Sequence, residues 1–110
     1  MATDTPDYRA DDIVNHAFGK VSGAGASITV SLGFTPRIVR VVNATDRITD
    51  EKYAGMGATE VIHTIADGTR TLDTGSLITF ADPLVDGWRG FTIAAAAAIS
   101  GKVLYWEALA

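Results

Sequence analysis

Short stretches in which apolar and polar residues alternate recur along this chain. Residues 28–32, Ile-Thr-Val-Ser-Leu, place three apolar side chains on one face of an extended segment, which predicts a half-buried strand. Residues 37–42 are nearly continuous in β-branched residues apart from Arg40, and this pattern predicts a central strand that is buried on both faces. Residues 13–20 predict a first strand, which a Ser-Gly-Ala-Gly break then ends.

An Asp-Gly pair at residues 67–68 separates two further alternating runs. Asp-Gly between strands is typical of a two-residue type I′ hairpin, because both turn residues need positive φ. Such a turn predicts three cross-strand pairs: Ile65 with Arg70, Thr64 with Thr71, and His63 with Leu72. In this register His63 shares a face with apolar residues, and a structural role is its expected one.

Three more strands are predicted at residues 77–81, 89–93 and 102–109. Seven or eight short strands at roughly ten-residue spacing, with Gly, Pro, Asn and Asp between them, predict an all-β fold, an antiparallel β-sandwich of jelly-roll-like type. Residues 43–57 are polar and show no alternation. They predict a long loop with one helical turn around residues 48–53, and loops of this length often contact partners.

Five consecutive alanines, residues 94–98, lie between two β-rich stretches. Alanine favours helix, but a helix confined to residues 93–99 would be shorter than the ~12 residues that an isolated helix needs. One alternative is a terminal hairpin with a turn at Ser100-Gly101, in which Ala97 faces Leu104 and Ala95 faces Trp106. The other is a strand that ends near Ala95 and continues as a short apolar loop.

Composition narrows the class of protein. The chain has 110 residues, which predicts one domain, residues 13–110, preceded by an acidic N-terminal arm, residues 1–12. Thirteen acidic and nine basic residues give a net charge of −4, and no basic run is present that would bind nucleic acid. The sequence contains no cysteine, no secretory signal and no apolar run long enough to span a bilayer. We therefore expect a soluble protein that is made in the cytoplasm and has no membrane partner.

Residue types that carry catalysis do not form a recognised motif. His16 and His63 are the only histidines and lack a chelating spacing, and no serine lies in a nucleophile elbow. The carboxylate pairs Asp50-Glu51 and Asp82 with Asp86 are candidates for acid–base pairs, but each lies beside a predicted turn or charged loop, where Asp favours the backbone geometry. The sequence thus predicts neither an enzyme nor a cofactor or metal site.

Aromatic residues are the best candidates for an interface. Trp88 lies between two glycines and beside Arg89, in a predicted loop, where an exposed contact role is plausible. Tyr53 lies in the predicted loop 43–57, whereas Trp106 lies in a strand and is expected in the core. Trp88, Arg89 and Tyr53 are therefore the candidate interface residues.

Three segments of the chain contain strand motifs: Leu-Gly-Phe-Thr-Pro-Arg-Ile-Val-Arg-Val at residues 32–41, Gly-Phe-Thr-Ile at 90–93, and Gly-Lys-Val-Leu-Tyr-Trp-Glu-Ala at 101–108. In these segments the chain resembles small β-sandwich modules of tailed-bacteriophage virions. Many such modules have a glycine followed by polar residues and an asparagine between the last two strands, where this chain has its alanine run, and this departure favours packing over glycan binding there. The resemblance implies a jelly-roll-like sandwich without catalysis.

Such modules occur as capsid decoration proteins and in tail fibres. The resemblance therefore implies a structural virion protein, a capsid decoration (cement) protein made in the host cytoplasm that binds the major capsid protein, with a dimer or trimer as the expected state. The alternative is a carbohydrate-binding or adhesion module of a tail fibre, which would use Trp88, Tyr53 and the 43–57 loop.

Overall fold

The structure is a computed structural model that describes residues 15–110, so the predicted N-terminal arm and the start of the predicted first strand lie outside the described residues. These residues form nine strands: β1 (His16–Ser22), β2 (Ile28–Ser31), β3 (Ile38–Asn43), β4 (Ile48–Tyr53), β5 (Val61–Thr64), β6 (Arg70–Asp73), β7 (Ile78–Phe80), β8 (Gly90–Ile93) and β9 (Val103–Leu109). A six-stranded antiparallel sheet has the order β1-β9-β3-β4-β5-β6, and a three-stranded antiparallel sheet has the order β2-β8-β7. The prediction of an all-β antiparallel sandwich is confirmed.

The core lies between the two sheets. Alternate residues of the strands point inward, and the fully buried apolar side chains come from both sheets, with Val39 and Leu104 on the large sheet and Phe91 and Ile93 on the small one. The Phe91 ring meets the Trp106 ring edge to face, with centroids 5.4 Å apart. The Trp106 ring lies against Gly19 of β1, where a Cβ would be 3.0 Å from it, so a larger residue there would require the ring to shift by a few tenths of an ångström.

Strand β3 is central, as predicted, but it is not buried on both faces. Its neighbours β9 and β4 flank it on either side, and Val39 and Val41 face the core. Arg40 lies on the opposite face and is exposed, because no second layer formed by residues 15–110 covers the outer side of the large sheet. The β-branched composition of β3 therefore reflects strand propensity on its outer face rather than burial.

The prediction of a loop with a helical turn across residues 43–57 is wrong, because residues 48–53 form strand β4. Its inward positions hold Asp50 and Lys52, which pair across the sheet with Val41 and Val39. Both are buried despite their charge. Because the inward side chains of β4 are polar, the apolar–polar alternation that identifies a strand is absent from this segment.

Lys52 is accommodated by backbone carbonyls. Its Nζ donates to the carbonyl oxygens of Gly57 at 2.8 Å, Ala58 at 3.3 Å and Glu60 at 2.7 Å, which uses all three ammonium donors. The ammonium lies 5.8 Å from the centroid of the Phe80 ring, and burial lowers the pKa of Lys52. One buried side chain thus organises the β4–β5 connection.

The β5–β6 hairpin is present, but the predicted register is wrong by one residue. The observed pairs include Thr64 with Arg70 and His63 with Thr71. The connection is longer than two residues, since the Gly68 amide donates to the Ile65 carbonyl and Gly68 adopts φ of 90°, a type I turn followed by a left-handed glycine. As a result Leu72 is on the opposite face from His63 and is exposed.

The alanine run is a loop, so the hairpin alternative is wrong and the loop alternative is confirmed. Strand β8 ends at Ile93, and the amides of Ala97 and Ala98 both donate to the Ala94 carbonyl at 3.0 Å. Strand β9 pairs with β1 and β3 instead of β8, because residues 94–102 cross from the small sheet to the large one. We call residues 94–98 the alanine loop.

We predict that Lys52→Met lowers the free energy of unfolding by about 2–4 kcal/mol, because the three carbonyls that Lys52 caps lose a buried donor. Urea denaturation measures the change. The control is Lys20→Met, which removes an exposed lysine and should change stability by less than about 0.5 kcal/mol. Equal effects of the two substitutions would contradict the capping role of Lys52.

Candidate functional site

The connection between β7 and β8 contains a turn that is held by its own carboxylates. The Asp82 amide donates to Asp86 Oδ2 at 2.8 Å, and the Leu84 amide donates to Asp82 Oδ1 at 3.0 Å. The Val85 and Asp86 amides both donate to the Asp82 carbonyl. Asp82 and Asp86 therefore shape the turn, and the structure gives them the structural role that sequence analysis favoured over catalysis.

This turn presents two aliphatic side chains to solvent. Leu84 is 95% exposed and Val85 is 80% exposed, so neither contributes to the core. The hydrogen bonds within the turn fix the backbone that carries them, so little conformational freedom would be lost there if another surface covered the pair. We call residues 82–89 the docking loop, and Leu84 and Val85 its tip.

The candidate interface residues Trp88 and Arg89 lie at the base of the docking loop. Trp88 is half-buried and lines a shallow pocket of about 290 Å³. Two threonines of the small sheet, Thr79 and Thr92, and the Asp86 carboxylate line the same pocket. Arg89 is exposed and donates to the Thr35 hydroxyl at 3.3 Å. An aromatic ring beside hydroxyls and a carboxylate offers both a stacking surface and hydrogen-bonding groups.

Tyr53, the third candidate interface residue, does not join this site. It lies at the end of β4 on the outer face of the large sheet, and its pocket shares no residue with that of Trp88. The Tyr53 hydroxyl donates to Glu51 Oε2 at 2.8 Å. Tyr53 and Trp88 therefore line different pockets, and the segment expected to accompany them as a loop includes strand β4.

Glu51 is the centre of an ionic network on that outer face. Arg40 reaches Glu51 Oε2 at 3.1 Å, and Arg70 reaches its Oε1 at 3.1 Å. Burial alone raises the pKa of Glu51, but hydrogen bonds from Tyr53 and Arg40 and the nearby positive charges outweigh that effect and hold the pKa below its usual value. The network orders the outer face, and both carboxylate oxygens of Glu51 are occupied by these contacts.

A second candidate site is a cavity of about 220 Å³ beneath the alanine loop. Its apolar wall includes Val41, Leu77 and Leu104, and its polar lining includes Asp50 and His63. No local sequence pattern predicts a contact between Asp50 and His63, because they lie 13 positions apart. They are neighbours because Asp50 is opposite His63 in the β4–β5 register. That register could not be predicted while residues 43–57 were expected to form a loop.

Asp50 and His63 form a buried hydrogen-bonded pair. His63 Nδ1 lies 2.5 Å from Asp50 Oδ1, and only 5% of the Asp50 side chain is exposed. Burial raises the pKa of Asp50; its bond to His63 opposes the rise, and the negative charge of Asp73 adds to it. When Asp50 is ionised it accepts the Nδ1 proton, which fixes the neutral imidazole in the tautomer that leaves Nε2 as an acceptor.

The lining of this cavity limits its chemistry. It contains an acid–imidazole pair, but the residues that line it include no hydroxyl or thiol that His63 would activate as a nucleophile. Asp50 and Glu51, considered together in the sequence, point to opposite faces of the sheet, so they do not act as a pair. Within residues 15–110 no group of three or more His, Asp or Glu side chains is arranged to hold a metal ion.

No protein-family model, curated protein or solved structure matches this chain significantly. Residues 15–110 also contain no helix that is long and apolar enough to cross a membrane.

We predict that Asp50→Asn stabilises the protein by about 1 kcal/mol near neutral pH, since replacing a buried charge while keeping its hydrogen bond to His63 removes a desolvation cost. A carboxyl with a raised pKa in the folded state contributes stability below its unfolded pKa and loses it as pH rises through the folded pKa. The gain from Asn should therefore disappear below about pH 4. Urea denaturation across pH measures it.

Glu51→Gln is the matched comparison, because Glu51 is the next residue on the same strand and its pKa is lowered. A carboxyl with a lowered pKa contributes stability above its unfolded pKa, so Gln should destabilise at neutral pH and have less effect in acid. If both variants changed the free energy of unfolding in the same direction, or if the changes did not depend on pH, the assigned pKa directions of Asp50 and Glu51 would be contradicted.

Proposed function

We propose that this protein is a structural virion protein that decorates a bacteriophage capsid, and that its docking loop binds the major capsid protein. The proposal rests on the sequence resemblance and on one observation, the Leu84–Val85 tip. A turn that is hydrogen-bonded to itself holds these two aliphatic side chains in water. They do not pack in the sandwich, and adjacent exposed aliphatic residues of this kind are typical of a contact surface.

The size of the tip indicates how such binding would work. Burying two aliphatic side chains contributes roughly 3–6 kcal/mol, whereas association costs about 4–15 kcal/mol in lost freedom. One tip alone is therefore a weak anchor. A dimer or trimer that engages neighbouring capsid subunits would gain affinity through effective concentration, and contacts made by the acidic arm, residues 1–12, would add buried area. A homo-oligomer that contacts the capsid at several points would therefore bind more tightly than a single tip.

The test is binding to heads of the phage whose genome encodes this chain. We predict that wild-type protein co-sediments with heads that lack it and that the double variant Leu84→Ser, Val85→Ser loses at least tenfold in affinity, because each buried aliphatic contributes ~1.5–3 kcal/mol. Both positions are exposed, so the melting temperature should stay within a few degrees of wild type.

The matched control is Leu72→Ser, which removes an exposed leucine from the large sheet and should leave capsid binding unchanged. Mass spectrometry and cryo-EM of purified virions give an independent check. Absence of the protein from heads, or full binding by the double variant, would refute the proposed docking.

A carbohydrate-binding module is the second candidate, and the Trp88 pocket favours it. A half-buried indole beside Thr79, Thr92 and Asp86 combines a face for stacking on a sugar ring with groups that bond its hydroxyls. This pocket is adjacent to the tip but chemically distinct from it, and the two functions predict different sensitive residues.

Glycan-array binding distinguishes them. If the protein is an adhesion module, Trp88→Ala abolishes glycan binding, Trp88→Phe retains part of it, and the Leu84→Ser, Val85→Ser variant binds as wild type. Binding to no glycan, or glycan binding that survives Trp88→Ala, would count against this second function.

A further inference from the structure

Strand β1 forms an edge of the large sheet. Among residues 15–110 it pairs only with β9. It has seven residues, whereas the other edge strands, β2, β6 and β7, have three or four. It contains no proline, and Lys20 is its only permanently charged residue. Proteins protect exposed sheet edges with short strands, prolines or several charges, so a long edge with little such protection is a site where another strand can pair.

The hydrogen bonds to β9 show which backbone groups of β1 point to the free edge. The Ala110 amide donates to the Asn15 carbonyl at 3.0 Å, and the Gly23 amide donates to the Lys102 carbonyl at 2.8 Å. Each bond joins residues that are directly opposite when the β1–β9 register is extended by one residue, so the odd-numbered residues form the hydrogen-bonded pairs with β9. The even-numbered residues therefore direct their N–H and C=O groups outward. They are His16, Phe18, Lys20 and Ser22, and all four are exposed.

A second copy of β1 satisfies all of these groups in one antiparallel register. When a two-fold axis passes through Gly19, Phe18 lies opposite Lys20 of the partner subunit, and His16 lies opposite Ser22 of the partner subunit. These are hydrogen-bonded pairs, so each copy donates four amides and accepts at four carbonyls. About eight backbone hydrogen bonds then join the two copies, close to the roughly ten of an ordinary protein interface.

Charge and length select this register over its neighbours. A shift by two residues places Lys20 opposite either its own copy or His16, and leaves one of the four outward-pointing residues without an opposite residue in β1. Like charges directly opposite are destabilising. In the Gly19-centred register Lys20 instead lies between Tyr105, its neighbour on β9, and the partner's Phe18, a ring that is 77% exposed in one copy. The lysine stem then covers apolar surface while its ammonium stays in water.

The inner face of β1 fits the same register. Ala17 and Val21 point inward and are half-buried, and Ala17 lies opposite Val21 of the partner subunit, so the apolar layer continues across the axis. At the axis itself two glycines meet in a non-hydrogen-bonded pair, where Cα atoms are only about 4.5 Å apart. Both faces of β1 are therefore complementary to a second copy.

We propose that β1 pairs with β1 of a second copy about a two-fold axis at Gly19 and joins two large sheets into one continuous antiparallel sheet. The partner at this edge is the chain itself, and Phe18 and Lys20 specify the register. The dimer carries two docking loops. The inference does not rest on capsid binding, because the docking loop contains no residue of β1 and dimerisation is measured without capsids.

Sedimentation equilibrium of the full chain tests the dimer. Wild-type protein should show a monomer–dimer equilibrium that shifts with concentration. Phe18→Lys should weaken dimerisation at least tenfold, because the ring is lost and a lysine faces Lys20 of the partner subunit. The double variant Phe18→Lys, Lys20→Glu should restore the dimer, since only in this register does each new lysine face a glutamate. Leu72→Lys, at an exposed leucine on the edge strand β6, is the matched control and should dimerise as wild type.

Disulfide formation reports the register directly. The sequence contains no cysteine, so an introduced cysteine is the only thiol in its chain. A mixture of His16→Cys and Ser22→Cys chains should cross-link on oxidation, because opposite residues of a hydrogen-bonded pair have Cα atoms about 5.5 Å apart. Either variant alone should not cross-link, since its two cysteines lie six residues, or about 20 Å, apart along the paired strands.

Four results would overturn the proposal. They are a wild-type chain that stays monomeric at millimolar concentration, a dimer that Phe18→Lys leaves unchanged, a Phe18→Lys, Lys20→Glu variant that stays monomeric, and cross-linking by His16→Cys alone that equals the mixture. Hydrogen exchange identifies a competing occupant of the edge. The Phe18 and Lys20 amides should be protected only in the dimer. Protection of these amides in a monomer would assign the edge to residues 1–14 and refute pairing with a second copy.

Discussion

The architecture depends on one constraint, which is that charged side chains placed inside the sandwich must find partners there. Strand β4 points Asp50 and Lys52 into the interior, where water cannot solvate them. Lys52 is satisfied by three carbonyls of the connection to β5, and this fixes where β5 begins. Asp50 is satisfied by His63 on β5 itself. The two contacts act on the same pair of strands, so the register of one half of the large sheet is determined by polar groups.

The unequal widths of the sheets explain where the two candidate sites lie. Six strands at about 4.8 Å spacing span roughly 24 Å between their outer axes, whereas three span about 10 Å. The small sheet therefore leaves part of the large sheet for connecting segments to cover. The alanine loop covers one such part with short side chains, which leaves a cavity, and the docking loop extends from the other end of β8 into solvent. Both loops flank the same short strand.

The sequence predicts strands that a local pattern of side chains identifies. It does not predict features that depend on contacts between distant segments of the chain. Alternation identifies β2 and β7, and Trp88 and Arg89 prove to lie in the docking loop. β4 escapes detection because Asp50 and Lys52 occupy its inward positions, and their compatibility with burial depends on His63 and on carbonyls in another segment. The adjacent aliphatic residues 84 and 85, between two turn-forming aspartates, were a signal for the exposed tip. No local pattern reveals the cavity, because its lining comes from five strands, β9, β3, β4, β5 and β6, and from the alanine loop.

The position of β9 has a consequence for how the chain folds during synthesis. In the large sheet β9 lies between β1 and β3, and it pairs His16 with Leu109 at one side and Ile38 with Leu109 at the other. Within residues 15–110 strand β1 pairs with β9 alone, so this pairing waits until residues 103–109 have left the ribosome. Closing so long a loop carries a large entropic cost before any pairing contributes, so one edge of β3 keeps unpaired backbone N–H and C=O groups until β9 reaches it.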